Sequence, residues 1–173
     1  MKIRTRMCVS LDGYVTRPDG WPVQLADPGW SPEAYGFREF QESCDAVLMG
    51  RTTFEPALGA GTWPWPGLDV FVLGSRRPEG TPDDVVVDGD PGRLLARVRD
   101  ANRGGDVHLV GGPRTIETFR QLGALDLLGL VVAPVLVGGG MQLTPSVAAG
   151  TGLTLESERR LPSGAVELTY TFS

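Results

Sequence analysis

Three glycine-containing segments of the sequence follow apolar runs, and each has residue types that could hold a phosphate group. They are Met49-Gly50-Arg51-Thr52-Thr53, Leu73-Gly74-Ser75-Arg76-Arg77 and Val110-Gly111-Gly112-Pro113-Arg114-Thr115. Glycine lets the backbone approach a ligand, a helix N-terminus offers free N–H groups, and arginine forms forked hydrogen bonds with phosphate oxygens. A capped helix or a solvated turn would explain any one segment alone. Their recurrence favours one phosphate-bearing ligand that contacts all three.

Each of these segments follows a predicted strand. The apolar runs 45–49, 68–73 and 107–110 are short, rich in valine and bounded by turn residues, which is typical of buried strands. In an open α/β sheet, ligands bind outside the carboxyl ends of the strands. We therefore expect the three segments to meet at one edge of a sheet.

The other patterns predict an α/β fold made of a single domain, residues 1–173. Further strands are predicted at 2–10, 84–87 and 127–137, the last interrupted by Pro134. Alternating apolar and polar residues on both sides of the turn 161–164 predict an antiparallel pair with one wet face. The predicted architecture is a three-layer sandwich: a mostly parallel central sheet with an antiparallel C-terminal edge and helices on both faces.

Helices are predicted where residues typical of helix N-termini precede apolar residues at helical spacing. These starts are Ser31-Pro32, the capping box Thr52 and Glu55, Asp90-Pro91, and Pro113. The helix from Ser31 is expected to carry an apolar stripe as far as Cys44. The stretch 16–30 is a predicted loop, and a loop of that length is often a lid or a binding loop.

Composition and charge exclude several classes of function. The net charge of −5 argues against bulk attraction to nucleic acid, and Lys2, the only lysine, leaves no other site for Schiff-base chemistry. No segment approaches the roughly 20 apolar residues of a membrane helix, and charges follow Met1 where a signal peptide would be apolar. Cys8 and Cys44 are too few for a disulfide framework or a four-ligand zinc site. We expect a cytoplasmic protein with no nucleic-acid, membrane or metal partner.

Other signatures of catalysis and nucleotide binding are missing from the sequence. It has no Gly-x-Gly-x-x-Gly, no phosphate-binding Gly-Lys-Ser/Thr loop and no Gly-x-Ser-x-Gly. His108, the single histidine, lies in the middle of a predicted strand. There we expect a hydrogen-bonded structural role and not catalysis.

Several motifs, in their order along nearly the whole chain, resemble the dihydrofolate reductase superfamily. They are Ser10-Leu11-Asp12-Gly13, the run 48–55, Val72-Leu73-Gly74-Ser75-Arg76, and Val110-Gly111-Gly112 with the helix that follows. Ser10 to Gly13, Leu125-Asp126 and the run 133–138 look more like the reductase domain of the bifunctional riboflavin-biosynthesis deaminase-reductase. The sequence is similar to the short, stand-alone proteins of that group.

The resemblance implies a dihydrofolate-reductase-like fold that binds NADPH. The implied cofactor contacts are Gly50, Arg51, Thr52 and Thr53 for phosphates, Ser75 and Arg76 for the 2′-phosphate, Gly111 and Gly112 for the pyrophosphate and nicotinamide, and the backbone at Val9 and Ser10 for the nicotinamide. Further cofactor-binding candidates beside these are Gly74, Pro113 and Thr115. The Gly111–Gly112 bond is expected to be cis, as in dihydrofolate reductases. The zinc-deaminase signature of the bifunctional enzyme is missing, so only the reduction is implied.

Two carboxylates are candidates for protonating the substrate. Asp12 follows the first strand, where the nicotinamide should lie, although an Asx-type turn before Gly13 would also explain it. Glu33 matches the substrate carboxylate of dihydrofolate reductases only roughly, and it could instead interact with a helix dipole. Trp21 and Trp30 lie in the long loop and could form walls of a site for a flat heterocycle, or cover the core.

The function expected from the sequence is hydride transfer from NADPH to a C=N or C=O group of a small, pyrimidine- or pterin-like molecule. Two alternatives stay open: a dihydrofolate reductase, and an NADPH-binding module without turnover. A homodimer is expected from the long apolar C-terminal edge and from the resemblance.

Overall fold

Strands and helices alternate over most of the chain, for which a computed structural model describes residues 1–143 and 150–172. The strands are β1 (Ile3–Arg4), β2 (Met7–Ser10), β3 (Cys44–Gly50), β4 (Asp69–Leu73), β5 (Val86–Asp88), β6 (Asp106–Gly111), β7 (Leu128–Ala133), β8 (Leu153–Arg160) and β9 (Val166–Phe172). The helices are α1 (Phe37–Glu42), α2 (Arg51–Leu58), α3 (Pro91–Ala101) and α4 (Pro113–Gln121), with a 3₁₀ helix at Val23–Ala26.

The strands form a parallel sheet and a mixed sheet. The parallel sheet has the order β1-β6-β3-β4-β5, and the mixed sheet has the order β2-β7-β9-β8. In the mixed sheet β2 and β7 are parallel, whereas β7, β9 and β8 are antiparallel neighbours. The fold is thus the predicted one: mostly parallel strands with an antiparallel C-terminal edge.

The first strand connects the two sheets, and it is broken where a continuous strand was expected. β1 pairs with β6 and β2 pairs with β7, with Thr5 and Arg6 between them. At the break the Thr5 N–H donates to the Leu127 carbonyl at 3.0 Å, so β7 lies beside both parts. The prediction of one strand over 2–10 was wrong because its apolar pattern cannot show a change of sheet.

Helices cover both faces of the parallel sheet. Leu48 and Phe71 pack with Leu94 of α3 and Phe119 of α4, while Val47 on the other face packs with residues of α2. Successive side chains of a strand point to opposite faces. Both faces of these strands are therefore buried, which explains the near-continuous apolar runs of β3 and β4.

Two predicted helix starts are wrong, and two are confirmed. Ser31 accepts a hydrogen bond from Ala34 N in a turn, but α1 begins only at Phe37, after Gly36 with φ 65°, and Cys44 belongs to β3. The start at Thr52 is also wrong, because α2 begins at Arg51 with Gly50 as its N-cap. The starts of α3 and α4 at Pro91 and Pro113 are as predicted.

Candidate active site

The carboxyl ends of the parallel strands lie along one edge of the molecule. Gly50, the last residue of β3, pairs with Leu73, the last residue of β4. Met49 pairs with Gly111, the last residue of β6. The three glycine segments therefore meet at this edge, as the strand-end argument predicted.

Three of the glycines are in close contact with side chains of neighbouring segments. A Cβ on Gly50 would overlap Thr115 Oγ1, and a Cβ on Gly74 would come within 3.0 Å of Arg51 Cβ. A Cβ on Gly112 would lie 3.8 Å from Thr53 Oγ1. The starts of α2 and α4 and the chain after β4 are thus packed against one another, and a side chain at Gly50 would separate α2 from α4.

Helices α2 and α4 present their N-termini at this edge. Their N-cap residues, Gly50 and Gly112, have no side chain that could accept a hydrogen bond from the first turn. The first N–H groups of an uncapped helix are available to an anion and carry the positive end of the helix dipole. The Gly111–Gly112 bond that leads into α4 is cis, which confirms the expectation.

Two arginines at this edge share one carboxylate. Glu55 Oε1 accepts from Arg51 Nη1 at 2.7 Å and from Arg76 Nη2 at 3.2 Å. The Arg76 side chain is 67% exposed, whereas Arg77 is held by the Val85 carbonyl at 2.8 Å. The sequence assigned Glu55 to a capping box. The i,i+4 spacing of Arg51 and Glu55 was the signal for their ion pair.

The end of β2 is fixed by a carboxylate clamp. Val9 and Ser10 are buried, and the Asp12 carboxylate accepts from Gly138 N at 2.7 Å and from Val137 N at 3.2 Å. The Ser10 hydroxyl and these N–H groups hold the pKa of Asp12 below its ordinary value. The carboxylate is therefore ionised at neutral pH, which suits a clamp between two loops better than a proton donor.

The structure does not bring Glu33 to the strand ends as a buried carboxylate. It lies in an exposed turn before α1, and its carboxylate is paired with Arg38 Nη2 at 2.8 Å. Trp30 packs edge-on against Tyr35 and Phe37, with ring centroids 5.0 and 5.5 Å away, and so covers the core. Trp21 is 62% exposed and remains accessible in the long loop.

The model of the RibD C-terminal domain family matches residues 1–166 of this chain. The chain belongs to the RibD C-terminal domain family. This membership confirms the resemblance drawn from the motifs and supports a reductase-like function.

Solved structures with the RibD C-terminal fold superpose on the chain. A protein from Shewanella sp. PV-4 that is assigned to riboflavin biosynthesis matches with a TM-score of 0.82 and 24% identity, covering 100% of this chain and 99% of that one. RibD of Acinetobacter baumannii matches with a TM-score of 0.74 and 17% identity, covering 99% and 58%. A pyrimidine reductase-like protein of Corynebacterium diphtheriae gives 0.68 and 16%, covering 99% and 92%. At these identities the likeness shows the fold.

Two relatives of Bacillus subtilis strain 168 also match over most of their length. The uncharacterized protein YwjB is 26% identical over 167 residues, which cover 95% of this chain and 94% of YwjB. The uncharacterized protein YyaP is 27% identical over 180 residues, which cover 95% of this chain and 91% of YyaP.

One buried carboxylate of this RibD C-terminal domain was missed in the sequence. Asp27, in the long loop, accepts from Gly29 N at 2.9 Å and from the Tyr35 hydroxyl. Burial, and next to it the hydrogen bond to Asp27, raises the pKa of Tyr35. Asp27-Pro28-Gly29 reads as an ordinary turn, so the sequence carried no sign that the carboxylate is buried.

The described ranges 1–143 and 150–172 contain neither a metal site nor a membrane-spanning helix. No group of three or more His, Cys, Asp and Glu side chains there could hold a metal ion. No helix in these ranges has the length and apolar character needed to cross a membrane.

Proposed function

We propose that this protein is an NADPH-dependent reductase that transfers a hydride to a C=N or C=O group of a small, pyrimidine- or pterin-like heterocycle. The observation that carries the proposal is the convergence of two uncapped helix N-termini, those of α2 and α4, with the guanidinium groups of Arg51 and Arg76 at one edge of the sheet. Backbone N–H groups and paired guanidiniums are the donors that a phosphorylated dinucleotide requires.

The residues at this edge fit the cofactor. Gly50 and Gly74 let the starts of α2 and α4 and the chain after β4 pack together at this edge, because a Cβ there would crowd Thr115 and Arg51. The proposed contacts are Gly50, Arg51, Thr52 and Thr53 with phosphates, Gly74, Ser75 and Arg76 with the 2′-phosphate, Gly111, Gly112, Pro113 and Thr115 with the pyrophosphate and nicotinamide, and Val9 and Ser10 with the nicotinamide. When bound, the cofactor supplies the hydride.

Asp12 has a positioning role in this proposal. Its ionised carboxylate fixes the loop after β2 to Val137 and Gly138 after β7, so the wall beside the proposed nicotinamide position is held in place. Glu33 is left out of the proposed site because it is ion-paired in an exposed turn. The proton for the substrate then comes from solvent, and the exposed indole of Trp21 is the remaining candidate for stacking on a heterocycle.

The test is a titration of the protein with NADPH and NADH, followed by tryptophan fluorescence, for the natural sequence and for Arg76→Ala. Arg76→Ala removes the charge-assisted contact with the 2′-phosphate, so it should raise the Kd of NADPH about 10- to 100-fold and leave the Kd of NADH unchanged. Arg38→Ala is the matched control, because Arg38 also has a single carboxylate partner but lies in α1. Equal loss for both dinucleotides would contradict the 2′-phosphate assignment.

The same titration separates the alternatives. NADPH binding followed by turnover of dihydrofolate would make the protein a dihydrofolate reductase. Binding without oxidation across a panel of imines and carbonyls would make it an NADPH-binding module. If neither dinucleotide binds, the reductase proposal fails.

We also propose that the protein is a cytoplasmic homodimer with a small-molecule substrate and no nucleic-acid partner. Strand β8 is the free edge of the mixed sheet, all eight of its residues are exposed, and they include Leu153 and Leu155. Exposed apolar residues on an edge strand are typical of a surface that a partner covers.

A further inference from the structure

A cavity lies beneath α1, away from the carboxyl ends of β3, β4 and β6 that form the candidate active site. It has a volume of about 310 Å³ and lies between α1, the break in the first strand, and strands β7 and β9. Its charged and aromatic lining consists of Arg4, Arg6, Arg159, Glu39, Glu167 and Phe40. We call it the α1 cavity. It is far larger than the ~30 Å³ that one water molecule takes in liquid.

The α1 cavity is lined by charged side chains of both signs. Three guanidinium groups face two carboxylates. Arg159 is ion-paired with Glu39 at 3.0 Å and with Glu167 at 2.8 Å, and Arg6 Nε shares Glu167 at 2.7 Å.

The remaining guanidinium of the α1 cavity, that of Arg4, reaches outside the lining. Arg4 Nε lies 3.0 Å from Asp106 Oδ2, and Arg4 Nη2 donates to the Ser43 hydroxyl. Asp106 therefore balances the charge of Arg4, while Arg6 and Arg159 face Glu39 and Glu167 inside the α1 cavity.

Buried polar atoms without hydrogen-bond partners are concentrated at the α1 cavity. In residues 1–143 and 150–172 such side-chain atoms are Arg6 Nη1, His108 Nε2 and Arg4 Nε, although Arg4 Nε is ion-paired with Asp106 at 3.0 Å. All three side chains surround one ring: the guanidinium carbons of Arg4 and Arg6 lie 4.5 and 5.5 Å from the Phe40 centroid, and the His108 ring lies 4.8 Å from it.

Arg6 shows most clearly that an acceptor is missing at the α1 cavity. The residue is only 3% exposed, and its Nη2 donates to the Tyr35 carbonyl while Nη1 has no acceptor. Native structures rarely leave a buried donor unpaired, so an unpaired guanidinium N–H beside a cavity indicates a missing acceptor.

We propose that the α1 cavity is a binding site for a compact anion, a carboxylate or a phosphate, held by Arg6 and Arg159. Such an anion accepts from the free Nη1 of Arg6. Burial, and next to it the positive charges of Arg6 and Arg4, lowers the pKa of His108 to about 3, so the imidazole is neutral there. The positive charge that attracts the anion therefore comes from the arginines.

The α1 cavity lies at the junction between the two sheets, so a bound anion would contact this junction. Thr5 and Arg6 form the break between β1 and β2, and Gly129 of β7 packs directly on the Thr5 backbone. The anion therefore binds where the first strand passes from one sheet to the other. Occupation of the site stabilises this junction, because a ligand that binds only the folded state raises its stability.

The test uses inorganic phosphate and, in a separate arm, acetate, titrated calorimetrically at constant ionic strength. The variants are Arg159→Gln and the matched control Arg76→Gln, which removes the same charge at the strand ends. Binding in the α1 cavity predicts that Arg159→Gln weakens the anion about tenfold and that Arg76→Gln leaves it unchanged. Arg159 is about half exposed, and circular dichroism will show whether each variant is folded.

A third variant should strengthen anion binding, whereas Arg159→Gln should weaken it. Glu39→Gln removes a competing carboxylate from the α1 cavity and should tighten anion binding, whereas mere loss of stability would weaken it. Phosphate that responds to Arg76→Gln and not to Arg159→Gln binds at the strand ends and overturns the proposal. The proposal is also overturned if neither anion shows saturable binding. That result would mean that the Phe40 ring and water molecules are the only partners that these guanidinium groups need. The acetate arm tells a carboxylate site from one that needs phosphate.

Discussion

Glu55 is the residue whose role changed most between sequence and structure. Its carboxylate holds Arg51 and Arg76, the two guanidiniums assigned to the cofactor phosphates. A phosphate that binds there must share both arginines with an existing negative charge. Like charges at such distances repel by an amount on the order of 1 kcal/mol near a solvated surface.

We expect Glu55→Gln to lower the Kd of NADPH about fivefold, because the repulsion is removed while an amide oxygen still accepts from the arginines. The Kd of NADH should fall less, since NADH has no 2′-phosphate at Arg76 and only its shared phosphates lie near Arg51. Fluorescence titration measures both constants. Glu33→Gln is the control, because Glu33 has one arginine partner away from the site. Weaker NADPH binding in Glu55→Gln would show that Glu55 instead pre-orients the arginines.

At the scale of elements, the loops after β2 and β7 are joined by one side chain. The Asp12 carboxylate accepts from Val137 N and Gly138 N, and the strands before these loops are paired as far as Ser10 and Ala133. Together with the backbone hydrogen bond from Leu11 N to the Val135 carbonyl at 3.0 Å, this clamp extends the contact between β2 and β7 beyond Ser10 and Ala133.

Asp12→Ala should therefore speed amide hydrogen exchange at Val137 and Gly138 several-fold, with little change at the centre of β7. Hydrogen-exchange mass spectrometry or NMR measures this locally. In the natural sequence the protection should persist on acidification until the pH falls below the ordinary carboxyl range, because the hydrogen bonds from Ser10 and Gly138 lower the pKa of Asp12. Asp19→Ala, in an exposed turn, provides a comparison, and equal acceleration there would refute the clamp.

At the scale of the whole molecule, His108 couples stability to pH. Burial lowers its pKa in the folded state to about 3, against an ordinary value of 6.5. Below pH 6.5 the unfolded chain takes up a proton that the folded chain does not, so stability falls as the pH falls toward 3.

The free energy of unfolding should drop by about 2 kcal/mol between pH 6.5 and pH 5 on account of His108. His108→Gln, which stays neutral, should lose this part of the slope. Urea denaturation at the two pH values measures the difference. Equal losses in both proteins would mean that His108 is not buried in its neutral form.

The exposed edge strand β8 is the expected interface of the proposed homodimer. Leu155, which is 48% exposed, should lie at the interface of the proposed homodimer, so Leu155→Lys is expected to give a monomer by sedimentation velocity. Leu25→Lys makes the same change at a residue that is 42% exposed and lies in the 3₁₀ helix. A monomer in the natural sequence, or a dimer in Leu155→Lys, would contradict this interface.

The sequence by itself determined the order of elements and the places where a ligand would bind. Valine-rich runs, proline at the starts of α3 and α4, and glycine after three strands act through local sterics and periodicity, which need no tertiary partner. The family motifs around Gly50, Gly74 and Gly111 are also local. For these reasons the parallel sheet and the meeting of the glycine segments could be predicted before any coordinates.

The tertiary structure alone decided which polar side chains meet. The sequence predicted Glu55 as a helix cap, but in the structure it accepts a hydrogen bond from Arg76 at another strand end. Asp27 has the sequence pattern of a turn residue, but in the structure it is buried and accepts from the Tyr35 hydroxyl. The break at Thr5 and Arg6 follows from the pairing of one strand with both β6 and β7. Such contacts depend on residues far apart in the chain, so their energies have no signature in local periodicity, and the burial of Arg6 could be seen only in the folded molecule.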